Sequence, residues 1–549
     1  MSRFFALLAA LGTASVVSAA IPKMSIKVLG KPEAPVAGTL YRNLSSEPES
    51  LHPLRIDEVV TQLISEYVME GLLWWNPDTA KFEPQLAESY EVSKDFLTYT
   101  FHLDKSAHFG DGSPVTAEDV KFSIEAVRDP AFKAANRIPY YEDIESITTP
   151  DAQTVIFKMK RVYFKNLEVL ASMGFTPIVS KKIYQDPNKK FDGNSMFGSG
   201  PYKIEAYNRG KNIILARDEN YWGKDKPNLK AFGKFKNINF RFIKEENLEI
   251  EMVKKGDIDF MWPIQIENFE KKAQGAPFGT TIRKVKAENK KPKRYGYIGW
   301  NFKNPMFQDR DTRVALSHLF NRQELIKKFM FGMAVEGRAP VYYKSPFMPG
   351  DVKPIEYSVS KARALLTKSG WKDEDKNGVL EKTIDGQTKE FRFTLVLANK
   401  DVEKYFTLYK EDLKKAGIDM SIKIVEWNTL MKLMDEQKFE AITLAWGGGS
   451  PEDDLKQIWH SDSNKPGGSN FISYSNKEVD KYIEAARQEM NESKRKVLWQ
   501  KAVRLIAQDA PYTYLFNLKY DLYLLNSRID YDRPTYTYDL SHLYWYMSK

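Results

Sequence analysis

Residues 446–454 read Trp-Gly-Gly-Gly-Ser-Pro-Glu-Asp-Asp. Consecutive glycines can cradle a phosphate on bare N–H groups or shape a catalytic loop. They can also let a ligand backbone approach where a side chain would stand. The residues that follow discriminate. Ser450 is a good helix N-cap and Pro451 a good first helical residue, so a helix is expected to start there. Glu452, Asp453 and Asp454 would then crowd its first turn, disfavouring an anion and favouring a cation. Asp453 is the acid expected to meet a ligand amine. The alternative is that all three acids only stabilise the helix start.

Other chemistries lack their residues. A hydrolase needs a nucleophile, a base and an oxyanion site. The elbow G-x-S-x-G does not occur, because Phe197, Glu452 and Phe471 close the sequences around Ser195, Ser450 and Ser469. The six histidines are dispersed, without H-E-x-x-H, and no phosphate or dinucleotide fingerprint is present. The absence of cysteine excludes thiol catalysis, thiolate metal sites and iron–sulfur clusters. Neither enzymatic activity nor a cofactor is expected. One loop, DEDKNGVLE at 373–381, places Asp373, Asp375 and Asn377 at alternate positions before Gly378, like the start of an EF-hand loop. Its twelfth position is Ile384, so the bidentate glutamate is missing. Such turns also form without metal, because Asp and Asn cap their own backbone. Calcium and a metal-free turn both remain open.

The chain has 549 residues, enough for two or three domains, and a globular composition with 42% hydrophobic and 28% charged residues. The net charge of +9 is mild and scattered. The run Lys290, Lys291, Lys293, Arg294 has few interleaved aromatics, so no nucleic-acid partner is expected. Residues 1–20 carry Arg3, an apolar run from Phe4, and small residues Ser18, Ala19 and Ala20, the layout of a cleaved signal peptide. No other apolar stretch approaches the ~18–20 residues that span a bilayer. The mature chain is therefore not expected to be membrane-embedded. With no cysteine to lipidate, it is expected to be free in a Gram-negative periplasm.

The elements that must position these residues alternate between strand and helix. LTYTFHL, 97–103, alternates as a half-buried strand. Thr116 and Asp119 form a capping box opening a helix with Ala117, Val120, Ile124 and Val127 on one face. Residues 154–159 read as a strand. A helix is expected from Asp311 to Gly332, and another over 404–416 ending at Gly417. MSIKIVEW reads as a strand, and 494–510 as a helix ended by Pro511. This mixture implies α/β domains without internal repeats. The Lys-, Gly- and Pro-rich stretch 271–294 is the expected crossing between lobes.

Several stretches together resemble the extracellular solute-binding proteins of peptide and oligopeptide ABC transporters, family 5. FGDGSPVTAEDV, from Phe109 to Val120, is similar to the family's most recognisable segment. Gly198-Ser199-Gly200-Pro201-Tyr202, the run from Asn301 to Arg322, and Asn470, Tyr474, Asn476, Val479 and Asp480 match further motifs. The resemblance covers essentially the whole mature chain, and most of the motifs read as scaffold. It implies an α/β, two-lobed periplasmic-binding-protein fold (type II, cluster C-like) with a hinge. Lobe one would comprise 36–72, an extra subdomain at 73–187, 188–292 and 526–549; lobe two would be 293–525. It further implies a monomer that encloses a peptide between the lobes and delivers it to ABC permease subunits. Relatives bind oligosaccharides, nickel chelates, opines or haem, so a non-peptide ligand is the alternative. In many peptide-binding members a Trp-x-x-Asp segment supplies the acid for the peptide's α-amino group. Here it reads Trp446-Gly447-Gly448-Gly449, and the acid is absent. The expected ligand contacts are Trp446, Gly447, Gly448, Gly449, Ser450, Asp453, Asn301 and Asn43.

Overall fold

The Thr98–Leu103 strand buries Tyr99, Phe101 and Leu103 and leaves the alternate residues half-exposed. Thr116 caps the helix Ala117–Arg128 in a reciprocal capping box with Asp119. These and the following elements belong to a computed structural model that describes residues 24–55, 59–134, 137–188 and 196–548. The expected signal peptide, 1–20, lies outside the described residues.

The expected strand 154–159 forms with those bounds, and the expected helix 404–416 forms over Glu403–Lys415, followed by left-handed Gly417. The helix expected from Asp311 to Gly332 is instead two helices, Arg310–His318 and Arg322–Phe329. Side chains decide the break. Asn321 accepts from the Glu324 N–H and caps the second helix. Buried Arg322 donates to the carbonyl of Ser317 (3.1 Å), at the end of the first, and to those of Tyr514 (2.6 Å) and Ile355 (2.9 Å). Ser317's carbonyl thereby gains a partner where the intrahelical bonds run out.

Two large sheets define two lobes. The first has seven strands, in the order Ile282–Glu288, Tyr520–Asn526, Phe260–Met261, Thr39–Leu44, Asn237–Phe242, Asn212–Arg217 and Tyr202–Asn208. The second has six: Ala334–Glu336, Tyr512–Leu518, Tyr295–Trp300, Ala441–Trp446, Arg392–Leu397 and Asp419–Ile424. A separate four-stranded sheet over 87–159, with the helix Ala117–Arg128, adjoins the first lobe and shares its apolar core. The second sheet has a core on each face. Where motif residues approach another segment, only glycine fits. A Cβ on Gly198 would stand 2.2 Å from the Val68 carbonyl oxygen.

The chain passes between the large sheets at 289–294 and at Lys519. The first crossing falls at the end of the expected stretch. The second corrects the expected end of lobe two at 525, because Tyr520–Asn526 pairs along its whole length with Ile282–Glu288 in the first sheet. Two of the four basic residues at the first crossing are tied into it: Lys291 pairs with Asp539 (2.6 Å) and Lys293 with Asp521 (3.2 Å). Among the described residues, no helix is long and apolar enough to cross a membrane.

Candidate functional site

The strand Ala441–Trp446 runs antiparallel to Tyr295–Trp300, with Trp446 opposite Tyr295. The glycine run therefore leaves the second sheet beside the first crossing. A Cβ on Gly448 would stand 1.7 Å from the Pro292 carbonyl oxygen, so backbone lies directly on backbone there. Gly447 has open space around it. A Cβ on Gly449 would meet Oδ1 of Asp453 at 2.7 Å. The Asp453 carboxylate thus lies just where a side chain on residue 449 would project.

The helix expected at Ser450–Pro451 does not form there; helix begins only at Lys456 (Lys456–Trp459). Ser450 Oγ accepts from the Glu452 N–H in a local turn (3.4 Å). The acids point to separate partners instead of lining one helical turn. Glu452 receives Arg495 Nε (2.5 Å) and Nη2 (2.9 Å) together with Trp499 Nε1 (2.9 Å). Asp454 receives Arg487 Nε (2.8 Å), the Tyr163 hydroxyl (2.9 Å) and the Lys456 N–H (2.9 Å). Asp453 alone of the three has no hydrogen bond or ion pair among the described residues.

Asp453 is exposed and lies at the mouth of a small crevice, with protein close to its carboxylate. Desolvation, opposed by Lys165 and reinforced by Glu168, Asp454 and Glu452, pushes its carboxyl up to about 6. The group favours a cation that would restore the lost solvation. It also borders a crevice of about 10 Å³, lined by Pro292, Tyr342, Phe347 and Trp499 among others, which has no room for a peptide residue.

Trp446 is half-buried at the end of an aromatic stack. Its ring faces Tyr297 (centroids 6.1 Å, 15°), Tyr297 faces Tyr512 (3.9 Å, 8°), and Trp446 Nε1 donates to the Tyr512 hydroxyl (3.3 Å). It is anchored to the core of lobe two and keeps an accessible part.

The opposite wall comes from the subdomain of lobe one and carries no signal in the sequence. Arg487 lies over the Tyr163 ring (4.7 Å) and Arg495 over Phe164 (4.8 Å). The Phe164 N–H donates to the Arg487 carbonyl (2.9 Å), and Phe164 meets Trp499 edge-on (5.9 Å). The strand–helix loop at 163–164 thereby bridges to lobe two beside Asp453.

One expected contact is corrected. Asn301 is 3% exposed. Its amide donates to the carbonyls of Gln437 (2.9 Å) and Phe439 (2.7 Å), and its Oδ1 accepts from the Lys303 N–H (3.0 Å). It clamps lobe two and has no donor left for a ligand. Asn43 lies in the strand Thr39–Leu44 of lobe one, beside Glu249, with Oδ1 buried and unpaired. No hydrogen bond or ion pair among the described residues joins it to 446–453. Asp373, Asp375 and Asn377 lie in a separate loop of lobe two, preceding the hairpin of Glu381–Ile384 and Gln387–Glu390.

Comparison with known proteins agrees with this architecture. Residues 81–468 match the profile of the bacterial extracellular solute-binding proteins, family 5 (middle region). The oligopeptide-binding protein AppA of Bacillus subtilis is 28% identical over 502 residues, spanning 89% of this chain and 88% of that one. The structure of AppA in complex with a nonapeptide superposes with a TM-score of 0.74 at 25% identity, covering 94% of this chain and all of the other. NikA from Brucella suis, in complex with Fe(III)-EDTA, shares the fold with a TM-score of 0.78 at 19% identity, over 93% of this chain and all of that one. With a two-lobed fold crossed twice at its centre and the family profile matched over most of its length, the chain belongs to the bacterial extracellular solute-binding proteins of family 5.

Proposed function

We propose that the chain captures short peptides between its lobes and delivers them to the permease subunits of an ABC importer, without catalysing a reaction. Its likeness to AppA supports the peptide class. One observation carries the site: the Asp453 carboxylate lies where a side chain on Gly449 would project, and among the described residues it has no hydrogen bond or ion pair. In this reading Asp453 replaces the missing acid of the Trp-x-x-Asp segment and receives the peptide's α-amino group. Trp446 is a pocket wall, Gly447 leaves room for the peptide backbone, and Gly449 leaves room for the Asp453 carboxylate. Gly448 serves the crossing, and Ser450 shapes the turn that presents Asp453. A cleft that encloses its ligand on closure suits such capture.

The chain works as a monomer, free in a Gram-negative periplasm, with no nucleic-acid partner. Lobe one comprises 36–72, the subdomain 73–187, 188–292 and the tail, and lobe two runs from 293 to Lys519. Calorimetric titration of ligand-stripped protein tests the reading. A free-amine tripeptide to pentapeptide should bind at micromolar concentration or better, and its N-acetylated form at least about tenfold more weakly. Equal affinity for the two would remove Asp453 from the site. Binding of an oligosaccharide or a metal chelate but no peptide would overturn the peptide class.

A further inference from the structure

The loop 373–381 has Ile384 at the twelfth position, where an EF-hand loop carries its bidentate glutamate. In the structure Ile384 is a core residue, and the missing carboxylate comes from the ninth position. Glu381 is 8% exposed. Main-chain bonds in both directions hold it against Lys372, and Leu380 donates to the Gly417 carbonyl (2.7 Å), so its backbone is anchored on both sides. Its Oε1 accepts from the N–H groups of Glu374 (2.9 Å) and Asp375 (3.1 Å), which turns the carboxylate into the loop. Its Oε2 is enclosed and has no hydrogen-bond partner among the described residues. A buried carboxylate oxygen left unpaired is costly unless something positive completes it.

The loop is wound around the same point. Lys376 (φ 63°) and Gly378 (φ 87°) are left-handed, closing the turn. Asp373 Oδ2 accepts from the Gly378 N–H (3.2 Å), Asp375 Oδ1 from Asn377 (3.0 Å), and Asn377 Oδ1 from Val379 (2.8 Å). One carboxylate oxygen each from Asp373, Asp375 and Glu381 lies within 4.8 Å of the others. Among the described residues no Lys or Arg pairs with any of the three; nearby Arg392 is taken by Glu390 and Asp419. Three negative charges thus converge without a counter-charge.

We infer that residues 373–381 form a Ca²⁺ site, with Asp373, Asp375 and Glu381 as carboxylate ligands and Asn377 at the intervening position. All donors are oxygen, which selects a hard cation over zinc or copper. Carboxylates and an amide at alternate loop positions suit the flexible, oxygen-rich shell of Ca²⁺, whereas Mg²⁺ keeps several of its waters and binds through one or two carboxylates. The ion would tie the turn to the hairpin base at Glu381, on lobe two and apart from the cleft, so it serves local rigidity.

The test is calorimetric titration of the mature chain, stripped with EDTA, with CaCl₂ and with MgCl₂, alongside thermal denaturation in each. One Ca²⁺ per chain should bind at about 10⁻⁴ M or tighter, raising Tm, with magnesium at least about tenfold weaker. Glu381→Gln and, at the exposed rim, Asp373→Asn should each weaken calcium at least about tenfold. Their circular dichroism in EDTA should match that of the parent. Absence of stoichiometric calcium binding up to 10 mM (about a hundredfold above the expected constant), or retention of parental affinity by both variants, would overturn the inference.

Discussion

Lowering the pH from 7 to 5 should weaken binding of a free-amine peptide about tenfold. The reasoning runs through Asp453, whose carboxyl is held up to about 6, chiefly by desolvation. Its ionised fraction falls from about 90% at pH 7 to about 10% at pH 5, while a peptide α-amino group stays mostly protonated throughout. If the carboxylate receives that amine, affinity follows the ionised fraction, a loss of about 1.4 kcal/mol. The assay is titration of one peptide, free and N-acetylated, at half-unit pH steps. The free form should show the decline, and the acetylated form should be flat. Asp453→Asn should abolish the dependence and bind the free form at its low-pH affinity. The same substitution should affect stability with a determined sign. An acid whose folded value is raised above its unfolded one favours the protonated fold. Its ionisation therefore weakens the fold progressively from about pH 4 to 6, and that penalty persists at higher pH. The ligand-free Asp453→Asn variant should thus gain about 1 kcal/mol at pH 8, discounted for the solvent access of the group, and nothing at pH 4. Parallel pH profiles for the free and acetylated peptides, or undiminished affinity in Asp453→Asn, would refute the assignment.

Gly448→Ala should destabilise by about 2 kcal/mol and weaken peptide binding, since its Cβ would press into the Pro292 carbonyl at 1.7 Å; urea denaturation and titration read both. Asn301→Ala should cost about 2 kcal/mol by leaving a buried and a half-buried carbonyl unpaired, with peptide affinity unchanged. Arg487→Met should loosen the bridge from Tyr163 to lobe two. It should increase the radius of gyration of the ligand-free protein in small-angle scattering and weaken binding about threefold to tenfold.

Much of the fold was legible because its signals are local. The alternation of residues 97–103 and the Thr116–Asp119 capping box lie within a few residues of one another, and both form as expected. Arg322, inside a motif, hinted at scaffold without revealing that its guanidinium binds carbonyls from three segments. The expected helix at Ser450 failed for the same reason that the opposite wall went unseen. The side-chain partners of Glu452 and Asp454 lie 33 to 291 residues away, and long-range ion pairs overrode a favourable cap. Asn301 was misread because a buried clamp and a ligand contact look alike at a strand end. Glu381 was missed because a twelve-residue template looks past the ninth position. The place of Asp453 against Gly449 followed from the four-residue spacing only once the loop's turn was known.

The most direct measurement is native mass spectrometry of the mature protein purified mildly without refolding, followed by identification of whatever it retains. The expected result is a protein carrying one peptide ligand or a mixture of short peptides with free amino termini, lost on denaturation. A stoichiometric sugar, opine or metal chelate in their place would contradict peptide capture.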